Sequence, residues 1–254
     1  MIDSHCHLDL PPLLGQLDAV LARAAAAGIT QMLVPAVNRE RWPQLEQLAQ
    51  RPQLQVAIGL HPCFAHNVSD DLQRMAERLR CSHPFIAIGE CGLDAVAGQL
   101  PMSQQLLLCQ AQLTLAQQHQ LPVILHVRSA HNEMLQLLSR TKLLAGGVVH
   151  GFSGSIELAT QYIRHNLHLG IGGVCTYPRA KKTRAMVAQL PREWMLFETD
   201  SPDMPLSGHQ GQPNQPHQIA NIVREVATIR GEPIDYLHAI QQENYRRLFH
   251  IEHF

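Results

Sequence analysis

Short apolar runs alternate with stretches of helical periodicity from one end of the chain to the other. Eight runs read as strands: Met1-Ile2-Asp3, Gln31-Met32-Leu33-Val34-Pro35, Leu54-Gln55-Val56-Ala57-Ile58-Gly59, Phe85-Ile86-Ala87-Ile88-Gly89, Pro122-Val123-Ile124-Leu125, Gly147-Val148-Val149, Leu167-His168-Leu169-Gly170 and Trp194-Met195-Leu196-Phe197. Amphipathic segments near 13–27, 39–50, 69–80, 103–119, 130–141, 155–166 and 180–190 lie between them and predict helices. The clearest helix follows the eighth run. Pro216 suits its first turn, Ile219, Ile222, Val223, Val226 and Ala227 form its apolar stripe, and Gly231 suits its C′ position. A last helix, 233–249, ends the pattern. Eight βα units with right-handed crossovers predict an α/β fold, a closed (β/α)8 TIM barrel, as one domain over residues 1–254. No repeat, low-complexity tract or linker divides it. The longest stretch without predicted structure, 201–215, follows the eighth strand, where a long loop is more often functional than idle.

Composition narrows the class. The chain is 45% hydrophobic and 16% charged, enough to bury a large core and unlike a disordered segment. Its net charge of −1 argues against a broad electrostatic footprint for nucleic acid or anionic membrane, while leaving room for a local basic patch. No apolar stretch approaches a membrane span, and Met1 leads straight into a strand, so no cleavable signal is visible. Cysteines 6, 63, 81, 91, 109 and 175 show no CxxC pairing and read as reduced thiols of a cytoplasmic protein.

Six residues at or just past strand ends change the picture: His5, His7, Glu90, His126, His150 and Asp200. In a parallel barrel those ends converge on one rim, where active sites are built. Four imidazoles and two carboxylates are the ligands that two divalent cations want. His5 and His7 flank Cys6, so period-two geometry turns both rings to one side. Each has a plainer reading. A lone HxH, or a histidine closing an apolar strand, can be a packed core residue; Glu90 can cap a loop or form an internal ion pair; Asp200 can start the Asp-Ser-Pro turn. All six plain readings must hold together for the site to vanish.

Lysine usage refines the ligand set. Only Lys142, Lys181 and Lys182 occur, and none ends a strand, so a carboxylated lysine cannot bridge two metals here. Glu90 is the natural substitute. His5 and His7 would hold one cation, His126 and His150 the other, and Asp200 would both ligate and orient the attacking water.

With these residues stand Asp3-Ser4-His5-Cys6-His7-Leu8-Asp9, Gly59-Leu60-His61-Pro62, Gly89-Glu90-Cys91-Gly92-Leu93-Asp94, His126-Val127-Arg128, His150-Gly151-Phe152-Ser153-Gly154, Glu198-Thr199-Asp200-Ser201-Pro202, Asn214-Gln215-Pro216 and Asn244-Tyr245-Arg246-Arg247-Leu248-Phe249. In kind and order this set resembles the TatD family of metal-dependent deoxyribonucleases, within the amidohydrolase-like barrels. The resemblance implies metal-dependent hydrolysis of DNA phosphodiesters, commonly 3′ to 5′ from a strand end. It carries over the six ligands, and it implies that His61 and Arg128 contact the scissile phosphate. Against that, His61 can belong to a surface loop and Arg128 to a solvated helix start. The chain departs from the family at Ala95-Val96-Ala97-Gly98, where aromatic and basic residues are common, and at Asp203, where an aromatic is usual.

The expected chemistry follows. Two cations (zinc by the imidazoles, manganese or magnesium by the carboxylates) about 3.5–4 Å apart would bridge and deprotonate a water and polarise a phosphoryl oxygen. Asp200 would accept the remaining proton, and His61 and Arg128 would balance charge on the phosphate. Arg179, Lys181, Lys182 and Arg184 form a local basic cluster that suits a single-stranded DNA backbone, and equally a solvated helix start. Phe152 and Tyr177 are the aromatics placed for base stacking. The same metals would serve an ester or amide such as an aminoacyl-tRNA or a small cyclic amide or lactone. A non-catalytic metal-binding protein is the remaining alternative.

Overall fold

The computed structural model describes residues 1–251 and keeps the predicted element order. Its strands are β1 (Ile2–Asp3), β2 (Gln31–Pro35), β3 (Leu54–Ile58), β4 (Phe85–Asp94), β5 (Val123–Arg128), β6 (Gly147–Val149), β7 (Leu167–Ile171) and β8 (Met195–Phe197). They form one eight-stranded sheet in chain order. Helices follow them in turn: α1 (Leu17–Ala26), α2 (Trp42–Leu48), α3 (Val68–Arg80), α4 (Met102–His119), α5 (His131–Leu138), α6 (Ile156–Arg164), α7 (Lys181–Gln189), α8 (Ile219–Arg230) and α9 (Ile234–Phe249). Sequential parallel strands separated by helices make this the (β/α)8 barrel fold. Among the described residues no helix is long and apolar enough to cross a membrane. All six cysteines are free thiols.

Packing groups the chain into two compact units. The first comprises Met1–Val34, His150–Ile163 and the chain from His168 onward. Here β1 pairs with β2 and β7 with β8, both parallel. Two amides of α9 tie these strands down. Gln241 Nε2 donates to Ile2 O at 2.7 Å and to Phe197 O at 2.9 Å; Asn244 Nδ2 donates to Arg192 O and Met195 O. The predicted stripe of α8 is buried, and Gly231 takes the left-handed conformation (φ +65°) that ends the helix.

The second unit comprises Pro35–Val149 and Arg164–Leu167, with β3, β4, β5 and β6 paired in parallel. Two strands run further than the apolar pattern predicts: β4 continues to Asp94 and β5 to Arg128. Glu90 and His126 therefore lie inside strands. The register of β4 against β5 shifts between Ile88 and Cys91, and pairing resumes past Gly89, from Cys91 onward. Gly92 sits opposite His126 with φ +151°, and a Cβ there would lie 1.9 Å from His126 O. Glycine at position 92 thus lets the two strands meet closely.

Two buried glutamines of α4 clamp the backbone beside candidate site residues. Gln112 accepts from Leu60 N at 2.8 Å and donates to Leu60 O at 3.1 Å. Gln105 accepts from Asp94 N at 2.8 Å and donates to Asp94 O at 3.0 Å. Polar residues on an inward helix face would be costly unpaired; here they fix the peptides that carry His61 and Asp94.

Candidate metal centre

In the first unit the short β1 delivers His5 and His7 to one side, while Cys6 turns its thiol toward Leu33 O. His5 Nε2 and His7 Nε2 lie 3.3 Å apart, and Asp200 Oδ1 is 3.4 Å from the first and 3.6 Å from the second. Donors on a sphere of about 2.0–2.2 Å around a tetrahedral cation are spaced by about this much. His150 stacks on His5 with ring centroids 4.1 Å apart, and its Nδ1 is 3.9 Å from Asp200 Oδ1. Asp200 holds φ +56°, with its N–H donated to His5 O at 2.9 Å, so backbone strain and the β1 end together aim its carboxylate.

Two more carboxylates stand behind these candidate ligands. Asp3 accepts from Thr199 N at 2.9 Å and Thr199 Oγ1 at 2.6 Å, which binds β1 to the segment carrying Asp200. Glu198 accepts from Gly151 N, and its other oxygen has no hydrogen-bond partner among the described residues. Gly170 clears room for it, since a Cβ there would lie 2.1 Å from Glu198 Oε2. Burial pushes Glu198 up to about 8 and Asp3 up to about 7. A nearby dication would favour the anions of such a group, so the donor set fits a metal.

In the second unit Glu90 is 1% exposed. Its Oε1 faces His61 Nε2 at 2.9 Å and His126 Nδ1 at 3.0 Å. His61 Nδ1 accepts the Cys63 N–H at 3.0 Å, so in the neutral ring Nε2 carries the proton and donates to Glu90. His126 turns its other nitrogen, Nε2, to Asp94 Oδ2 at 2.9 Å. A neutral imidazole has a single N–H, so one of its two carboxylate contacts calls for a second proton or a cation. Burial alone would raise Asp94, but N–H donation from Ala97, His126 and Val96 prevails and holds it well below the usual carboxylate range. Val96 and Ala97 thus serve Asp94 through their backbone N–H groups, independently of their side chains.

Within the first unit the structure gathers His5, His7, His150 and Asp200, and within the second His61, Glu90 and His126. Arg128 is exposed, its Nη1 4.0 Å from Asp94 Oδ2. Lys181 and Lys182 are exposed in the first turn of α7. The rest of the basic cluster is engaged: Arg184 pairs with Glu225 and donates to Cys175 O, and Arg179 covers the Tyr177 ring. Phe152 is buried edge-on to Tyr162 and is core, not a stacking face. Asp94 and Glu198 carry structural weight that no role in the sequence reading captured. Glu198-x-Asp200 after β8 repeats the period-two logic of His5-x-His7, and that was the available signal.

A family model described as TatD related DNase matches residues 2–250. A protein of Escherichia coli named "Uncharacterized metal-dependent hydrolase YjjV" is 42% identical over 253 residues, covering 98% of each chain. The "3'-5' ssDNA/RNA exonuclease TatD" of Pantoea ananatis is 33% identical, over 98% of this chain and 99% of that one. The crystal structure of the E. coli protein YjjV, a TatD homolog, matches with a TM-score of 0.95 and 41% identity, over 99% of this chain and 98% of that one.

Proposed function

Because the chain belongs to the TatD family of metal-dependent hydrolases, we propose that it cleaves phosphodiester bonds of single-stranded nucleic acid from the 3′ end with two divalent cations. The observation that carries this reading is the convergence of His5 Nε2, His7 Nε2 and Asp200 Oδ1 at 3.3–3.6 Å, the spacing of ligands around one ion. His150 completes that set, and Glu90 and His126 supply the second. Glu90 is proposed to serve both ions. Imidazoles favour zinc, and the carboxylates accept manganese or magnesium. When bound, the cations supply hydroxide at neutral pH and offset charge on the phosphoryl and leaving oxygens.

The chain's own groups do the rest. Asp200 takes the proton released by the attacking water, since its oxygen already faces the ligand nitrogens. His61 presents an N–H, held in that tautomer by Cys63 N, that can pass from Glu90 to a phosphoryl oxygen. The exposed guanidinium of Arg128 pairs with the phosphate, and Lys181 and Lys182 extend the path of the strand. Six free thiols suit a reducing compartment, the cytoplasm.

A pair of chromogenic esters tests the reaction class. Bis(p-nitrophenyl) phosphate is expected to turn over faster than p-nitrophenyl acetate, with a chelator removing the activity and added metal restoring it. The opposite order of substrates would move the reading to a carboxylic ester or amide on the same residues.

A further inference from the structure

We infer that His66 is a positioning residue for His61: it fixes the peptide from which the His61 ring reaches its proposed phosphate contact. The inference rests on that role for His61 and adds a residue to which no function has been given. His66 stands near the end of the stretch 59–67, which joins β3 to α3 and carries neither helix nor strand. Its side chain is wholly buried. A buried imidazole is costly unless its nitrogens find partners. Nε2 lies 2.7 Å from His61 O. A carbonyl can only accept, so this nitrogen carries a ring proton and donates it.

The other contacts of His61 show what that bond completes. His61 N donates to Val37 O at 2.9 Å, and His61 O also accepts Phe64 N at 3.1 Å. The ring's Nδ1 accepts Cys63 N at 3.0 Å, and Nε2 is the nitrogen turned to Glu90. Main-chain groups thus hold the amide and the ring, while a side chain five residues on adds its grip to the carbonyl. Moving that carbonyl turns the peptide between His61 and Pro62, and with it the Cα–Cβ bond that aims the ring. The far side of His66 is braced in turn. Its Nδ1 lies 3.8 Å from Asp71 Oδ2, and Asp71 Oδ1 accepts from Arg39 Nη1 at 3.1 Å. Asp71 belongs to the first turn of α3, so His66 links the His61 carbonyl to a helix. A misplacement of about 1 Å in a group that acts on the reacting centre can cost about 10²-fold in rate.

A double-mutant cycle separates positioning from plain loop stability. The readout is kcat and KM for bis(p-nitrophenyl) phosphate with the metal-loaded, full-length protein. His66→Leu fills the space without a donor and is expected to lower kcat about 10–100-fold, with KM and bound metal changing far less. His66→Gln, whose terminal amide can donate where Nε2 stood, should restore most of the rate. His66→Asn ends near the place of Nδ1, should behave as the leucine variant does, and carries the test if leucine unfolds the loop. In a His61→Ala background the same changes should cost nothing further. An equal loss in both backgrounds would overturn the inference, because His66 would then serve the fold alone. Unchanged kcat in both His66→Leu and His66→Asn would overturn it too. If His61→Ala alone left kcat intact, the phosphate role of His61 would fall and this inference with it, while Glu90→Gln still tests the metal chemistry on its own.

Discussion

Glu90→Gln is expected to remove metal-dependent turnover while the protein stays folded. The amide keeps the shape and an acceptor for the His61 N–H, 2.9 Å away, so the local packing survives. What it loses is the charge. A neutral oxygen is a poor ligand for a divalent ion, and this carboxylate is proposed to serve two. Losing several kcal/mol of electrostatic stabilisation from one cation amounts to about 10³-fold in rate or more. The measurement is kcat on a phosphodiester beside metal content by atomic emission. The variant should show an unchanged thermal midpoint in the stripped state and bind less metal. Near-normal turnover would refute the role given to Glu90.

Asp200→Asn carries the second largest effect. Asparagine tolerates the left-handed backbone at this position, and the Asp200 N–H bond to His5 O does not involve the side chain. The fold should therefore be retained. Turnover should fall by about 10²–10⁴-fold, the usual span for a lost general base, and further if the ion beside His5 and His7 also leaves. Substrate binding measured with the inactive protein should change far less than kcat. A fall confined to KM, with kcat intact, would show that Asp200 only positions substrate.

The barrel was legible because its strands are continuous apolar runs broken by helical periodicity, and the candidate metal ligands stood out because they follow those runs. What the pattern hid has physical causes. Glycine is depleted in strands, so Gly89-x-x-Gly92 read as a strand end, although the register shift against β5 carries β4 on to Asp94. Within the predicted helix 103–119 nothing in the pattern marks Gln105 and Gln112, yet α4 turns them inward to hold Asp94 and Leu60. Glu198 and Asp94 stand in the motifs, but a carboxylate's burial is not visible in sequence. The basic cluster at the start of α7 looked like one surface. Arg184 is drawn aside by Glu225, a residue 41 positions away, and Phe152 is claimed by Tyr162. Long-range packing decided each of these, and local pattern cannot express it.

Single-stranded DNA labelled at either end tests the central claim most directly. The metal-stripped protein would be incubated with magnesium, manganese or zinc, beside Glu90→Gln protein to expose contaminating nuclease. The account predicts stepwise shortening from the 3′ end, restored by metal and absent from the variant. Intact DNA with both labels, in protein shown to have bound metal, would contradict it.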